Sequence, residues 1–452
     1  MRYLLSGLLL FLMAAEVFSW DVSMGPGLSI KNAVLYLIAM FLMFRIAISR
    51  GERLDVGPVH VFFVILIAYA LVTWLTAGLI IEYPGYDLIA SAIRLKSELI
   101  DHFIFFLVFY YGASTRRDAL TVLKALLLAA LFANAMTVAD VSGYVDLGFE
   151  ERESGRAEGA LGEANQYAAF IILFLPAMIA ALVMARGVWR IFWVGAVLVS
   201  GVALIMTVSR GAFVGLLVAA ISGAWLYRHR LSAGKLMAWL VAAVIVVGLS
   251  LGLSESEYTA LVEERLFTQT GAIDLSDASS GRVDIWTAAL ARMIENPLTF
   301  ITGFGWDVYW TMPFRYSPHN HYLSLWFNLG LPGLLSGIGV LASAVWLGKR
   351  ASENADPELR SRLIAFVIGV IGVCTAIFFV DLHRPWYYFW AYAGVAMRLA
   401  VNVASEVRAQ ADDAPAASPV SARELQAAKP DPYGWVGRPP AGGELRSHGA
   451  HR

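Results

Sequence analysis

SPHNHYLSLWFNLGLPGLLSGIGVLASAVWL, residues 317–347, passes from a polar loop into a long apolar run that ends before Lys349 and Arg350. Crossing the hydrocarbon core of a bilayer takes about 20 apolar residues, and this run supplies them. Ser317-Pro318 reads as an N-cap followed by the first helical position. His319 and His321 then fall in the first helical turn, at the membrane surface. The positive end of a helix favours a neutral histidine there, able to accept a proton. The plainer reading is a pair of interfacial histidines hydrogen-bonded to loop carbonyls.

Composition fixes the class around this stretch. Of 452 residues, 58% are hydrophobic and 15% charged, and the mean hydropathy is +0.64. Soluble domains carry roughly 25% charged residues, so the chain is a polytopic membrane protein. A net charge of −1 gives no global field for nucleic acid. The single cysteine, Cys374, excludes an intrachain disulfide framework and a cysteine-rich metal site. The histidines form no ligand-spaced cluster, so neither metal nor cofactor is expected.

About twelve apolar runs can span a bilayer, near 3–20, 32–49, 58–81, 94–113, 118–140, 166–185, 188–208, 211–227, 235–253, 319–347, 361–381 and 385–402. The first could be a signal peptide, but no clean cleavage site follows and it is kept as a helix. Connections bearing Arg45, Arg50 and Arg53, then Arg116 and Arg117, Arg186 and Arg190, Arg228, Arg230 and Lys235, and Lys349 to Arg362 alternate with poorer ones. The rich set belongs in the cytoplasm. Both termini then lie inside, and the long segment 254–318 lies outside. From 403 to 452 the chain is rich in Ala, Pro, Asp and Gly without periodicity, and is expected to be a disordered cytoplasmic tail.

Within the outer loop, Arg282–Glu295 sets Ile285, Trp286, Ala289, Leu290, Met293 and Ile294 on one helical stripe. Ser280 is a cap candidate, and Asn296-Pro297 a stop. Thr302 to Trp306 reads as a glycine-rich turn without the strand–turn–helix context of a nucleotide loop. Asp307, Tyr309, Trp310, Arg315 and Tyr316 suit stacking on carbohydrate, and serve equally as interfacial anchors.

Arg210, in Ser209-Arg210-Gly211, and Arg282, after Gly281, both stand at helix starts on the outer face. A cation there opposes the helix dipole by about 0.3–1 kcal/mol. Snorkelling for Arg210 and simple solvation for Arg282 are the plainer readings. An anion held jointly by guanidinium and helix-end N–H groups reverses the cost. Two such arginines with neutral histidines suit a phosphate-bearing substrate and a hydroxyl to be deprotonated. The polar run from Arg156 to Asn165, just before a helix, can line a sugar site or simply cap the helix.

These motifs resemble the O-antigen ligase superfamily, which also holds O-antigen and exopolysaccharide polymerases and some protein O-oligosaccharyltransferases. The resemblance rests on the loop before residue 166, Ser209-Arg210-Gly211, Gly281-Arg282 with Trp286, and His319-Asn320-x-x-Leu323 with Gly330 and Gly333, and covers roughly 150–395. It implies an all-α integral membrane glycosyltransferase domain over 1–402 with an outer-face, periplasmic site in a bacterial inner membrane. It implies a glycan donor on undecaprenyl diphosphate and metal-independent, inverting transfer to an acceptor hydroxyl. The acceptor would be lipid A core, a second lipid-linked glycan, or a protein Ser or Thr. Carried over, Arg210 and Arg282 bind the diphosphate and His319 is the catalytic base, with Asn320, His321, Arg156, Asn165 and Arg315 as accessory candidates. His321 competes for the base role, but a helix turns about 200° over two residues, so only one ring should reach the site. The rival from another class is a transporter or flippase of lipid-linked sugars.

Overall fold

The computed structural model describes residues 1–20, 22–48, 55–149, 155–228, 281–314, 317–383 and 385–412. Met1–Ser405 forms one compact unit; the second, Glu406–Arg452, is described only to residue 412, as the end of a helix. The expected run 235–253, the loop from 254 to 280, Arg315, Tyr316, Arg384 and the tail after 412 lie outside the described residues. The protein is an all-α membrane protein, with one minimal hairpin, Ser23–Gly25 against Leu28–Ser29, among the described residues.

The helices are α1 (Arg2–Val17), α2 (Ile30–Ile48), α3 (Pro58–Leu75), α4 (Leu88–Leu95), α5 (Asp101–Gly112), α6 (Arg116–Val141), α7 (Ala164–Met184), α8 (Val188–Met206), α9 (Arg210–Leu226), α10 (Arg282–Glu295), α11 (His321–Asn354), α12 (Pro357–Ala376) and α13 (Pro385–Asp412). Among the described residues, seven are long and apolar enough to cross a membrane: α2, α3 extended to Ile81, α6, α7, α8, α11 and α12. The number twelve is therefore not reached by these criteria. The expected run 94–113 is one reason: a π-helical turn, Lys96–Ile100, divides it into α4 and α5. α9, at 17 residues, is a shorter apolar helix. α13 continues to Asp412, beyond the expected boundary at 402.

α7 is the central helix, with 72% of its apolar window buried. Against it pack α8, α9 and α12, and glycines set the spacing. A Cβ on Gly369 of α12 would strike the Leu173 carbonyl of α7, and one on Gly215 of α9 would come 2.8 Å from the Gly372 carbonyl. Small residues at such crossings let backbones approach where no hydrophobic force separates helix from lipid. α1 packs on α6, with Leu5, Leu9 and Met13 fully buried, so the first apolar run is a packed helix of the bundle.

α11 is broken. Gly330 has φ +59 inside it, and Pro332 follows. Freed backbone groups at this break are met by the turn 303–305: Phe304 N–H donates to Phe327 O at 2.9 Å, and Gly305 N–H to Asn328 O at 2.8 Å. A Cβ on Gly303 would run into the Asn328 carbonyl, and one on Gly330 into that of Ile301. The glycine-rich turn and Gly330 are thus two halves of one docking joint, which fixes the N-terminal part of α11.

Candidate functional site

The helix carrying the histidines starts later than the Ser-Pro signal predicts. α11 begins at His321, and Asn320 is its N-cap, its side-chain oxygen accepting from Leu323 N–H at 3.1 Å. Ser317 instead donates to Asp381 at 2.6 Å, and Ser324 donates to the other oxygen of the same carboxylate at 2.9 Å. His319 therefore precedes the helix, in the left-handed region at φ +46, with its N–H donating to the Ser317 hydroxyl at 3.3 Å. Non-glycine residues occupy that region at a cost of order 1–3 kcal/mol, and such strain concentrates at functional sites. The two histidines are separated by a change of backbone state rather than by helical rotation.

Arg210 and Arg282 both stand at the first position of their helices, as expected. Ser209 caps α9, accepting from Ala212 N–H. The cap of α10 is Gly281 at φ +74, in place of Ser280, which lies outside the described residues. On α10, Ala289 and Met293 are buried, and Trp286 and Leu290 pack with them against Phe304, Val308 and Phe327; Ile294, expected on the same stripe, is exposed.

Four backbone segments converge around these residues. Trp286 Nε1 donates to the Pro318 carbonyl at 2.7 Å, tying α10, one turn after Arg282, to the loop of His319. His321 N–H donates to Ile377 O at 2.9 Å, joining the head of α11 to the turn after α12. That turn also carries Phe379, so close to Gly211 that an added Cβ would come within 2.7 Å of it. Beside Arg210, Arg156 Nε donates to Thr207 O at 2.9 Å and its Nη2 to Asn165 Oδ1 at 3.1 Å. Ser209 donates to the same Asn165 oxygen at 2.8 Å. Arg156 and Asn165 thus brace the turn that presents Arg210; of the accessory candidates, only Arg315 is outside the described residues.

A cavity of about 340 Å³ opens against the head of α11. His321, Ser324, Leu325, Asn328 and Leu329 line it, on the i, i+3, i+4, i+7, i+8 stripe of one helix face. Opposite stand Arg94, Glu98, Asp307, Trp310, Asp381 and His383. Arg94 bonds Asp307 at 2.8 Å, and Ser91 donates to the same carboxylate at 3.1 Å. Burial pushes the Asp307 carboxyl above its ordinary value, with Arg94 opposing. His383 Nδ1 lies 3.8 Å from Glu98, and the His383 backbone N–H donates to Gln166 Oε1 at 3.0 Å. His319 is not among the lining residues, whereas Ser317 and Pro318 are. Sequence reasoning left Glu98, Arg94 and His383 unused. The available signal was a set of ionisable residues inside an otherwise apolar run at 94–101, which in a membrane segment marks function.

Residues 195–338 match the family model described as O-Antigen ligase (Wzy_C), a span that includes Arg210, Arg282, Trp286, His319, Asn320 and Gly330. Over that segment the chain is similar to the O-antigen ligase family, whose model points to a membrane enzyme of the ligase type. The match is narrower than the 150–395 suggested by motifs, leaving out the Arg156–Asn165 loop and the turn at 377–383. No curated protein matches the chain.

Proposed function

We propose that this chain transfers a glycan from an undecaprenyl-diphosphate carrier to an acceptor hydroxyl at the periplasmic face of a bacterial inner membrane, with inversion and without a metal. The observation that carries this reading is the convergence of the Arg210 turn, the head of α10 and the His319 loop on one scaffold, all within the matched segment. Arg210 and Arg282 hold the diphosphate leaving group through planar forks backed by helix-end N–H groups. His319 takes the acceptor's proton as that oxygen attacks the anomeric carbon and the carrier diphosphate departs. Asn320 fixes where the helix begins, and so keeps His319 outside it.

The flippase reading meets a break at Gly330, such as transporters use. Here the freed backbone is closed by residues 303–305, which supports a rigid site over a transport path. A ligase or polymerase is the favoured form, with protein glycosylation as the alternative acceptor. A deletion strain tests this. Accumulated lipid-linked polymer marks a ligase, single repeats a polymerase, and loss of glycan from one protein a protein ligase; an unchanged surface polysaccharide and glycoprotein pattern contradicts all three.

A further inference from the structure

The cavity at the head of α11 does not suit the donor's diphosphate. Its described lining carries three carboxyl groups, Glu98, Asp307 and Asp381, against one guanidinium, Arg94, already bonded to Asp307. Among the described residues, the Asp307 and Asp381 carboxylates outnumber that cation and disfavour an anion. A metal ion does not fit either, because among the described residues no three His, Cys, Asp or Glu side chains gather closely enough to hold one. An uncharged, hydroxyl-rich ring fits both features of the lining. Carboxylates accept hydrogen bonds from hydroxyls, and Trp306, Trp310 and Trp386 supply broad apolar faces. The volume lies within the roughly 300–1,000 Å³ of small-molecule sites.

We propose that this cavity is a subsite for an uncharged pyranose of the acceptor glycan, with Trp310 as the stacking face and Glu98 and Asp381 as hydrogen-bonding partners of its hydroxyls. The assignment to the acceptor rests on the glycosyl-transfer reading above. The donor's first sugar is bonded to the diphosphate, and neither Arg210 nor Arg282 is among the cavity's lining residues. Ser317 and Pro318 do line it, so a sugar seated here lies beside the loop of the base. Trp310 is 51% exposed, which makes its removal tolerable for folding.

Saturation-transfer NMR on the full chain in nanodiscs, with methyl glycosides of glucose, galactose, mannose, rhamnose and N-acetylglucosamine, tests the subsite. At least one glycoside should bind. Trp310→Ala and Glu98→Leu should each weaken it about tenfold or more, the scale of a lost buried hydrogen bond or stacking face. Arg210→Lys/Arg282→Lys should leave binding unchanged, and inorganic diphosphate should not compete. Absence of binding by every glycoside, equal binding by the Trp310 and Glu98 variants, or displacement by diphosphate overturns the subsite. In a transfer assay Trp310→Ala should raise KM for the acceptor about tenfold and leave donor KM alone; a rise in donor KM instead overturns the acceptor assignment. Binding is read without turnover. A chain that transfers glycan but binds no sugar in this cavity refutes the subsite alone, and one that binds sugar there but transfers nothing refutes the transfer reading.

Discussion

His319 and His321 are two positions apart and do different work in this account. His319 sits at φ +46 ahead of the helix, on the loop that Trp286 ties to α10, while His321 opens α11 and faces the cavity, its ring 5.3 Å from that of Trp386. A positioned base contributes about 10²–10⁴-fold, so His319→Ala should lower kcat by that factor and leave binding of the lipid-linked donor intact. His321→Ala should be milder in kcat and show itself in the KM for acceptor. A dead His321→Ala beside an active His319→Ala would reverse the roles. At the arginines, Arg210→Lys and Arg282→Lys keep the charge but lose the bidentate fork, and each should lower kcat/KM by roughly tenfold or more. Near-normal transfer by the double variant would mean that both are surface arginines only. The residue types and their order were legible in the sequence, as was the placement of both arginines at helix starts. The cap was not. Ser-Pro is a strong start signal, but Asp381, 64 positions away, takes the Ser317 hydroxyl, and Asn320 caps in its place.

At the scale of elements, the site depends on two joints. One is the break in α11, where Gly330 and Gly303 leave no room for a Cβ. Gly330→Ala places a side chain at positive φ and against the Ile301 carbonyl, and should destabilise the protein by at least about 1–3 kcal/mol, read as a lower unfolding midpoint in detergent. An unchanged midpoint would remove the joint from the account. The other is the Trp286–Pro318 bond. Trp286→Phe keeps an aromatic face but severs it, at a stability cost near 1 kcal/mol, and should lower kcat through misplacement of the His319 loop. Hydropathy and glycine content announced the helices and the turn, and the stripe on α10 matches its observed range. Which turn closes which break could not be read, because Gly303 and Gly330 meet only through tertiary packing. The cavity was hidden for the same reason: Arg94 and Asp307 pair across 213 positions.

For the whole molecule, the alternation of basic connections predicts an orientation that puts the proposed site on the outer face. Reporter fusions after residues 275 and 410 should report outside and inside respectively; a cytoplasmic signal at 275 would put Arg282 and His319 on the wrong side for a periplasmic donor. Transfer that uses a histidine base and no metal should persist in chelator. The most direct measurement supplies purified chain with an undecaprenyl-diphosphate-linked glycan and an acceptor, and follows glycan transfer together with release of undecaprenyl diphosphate. Wild type should release carrier and glycosylate acceptor in equal amounts, and His319→Ala should do neither while still binding the donor. Equal turnover by His319→Ala, or carrier release without the matching transfer, would contradict the account.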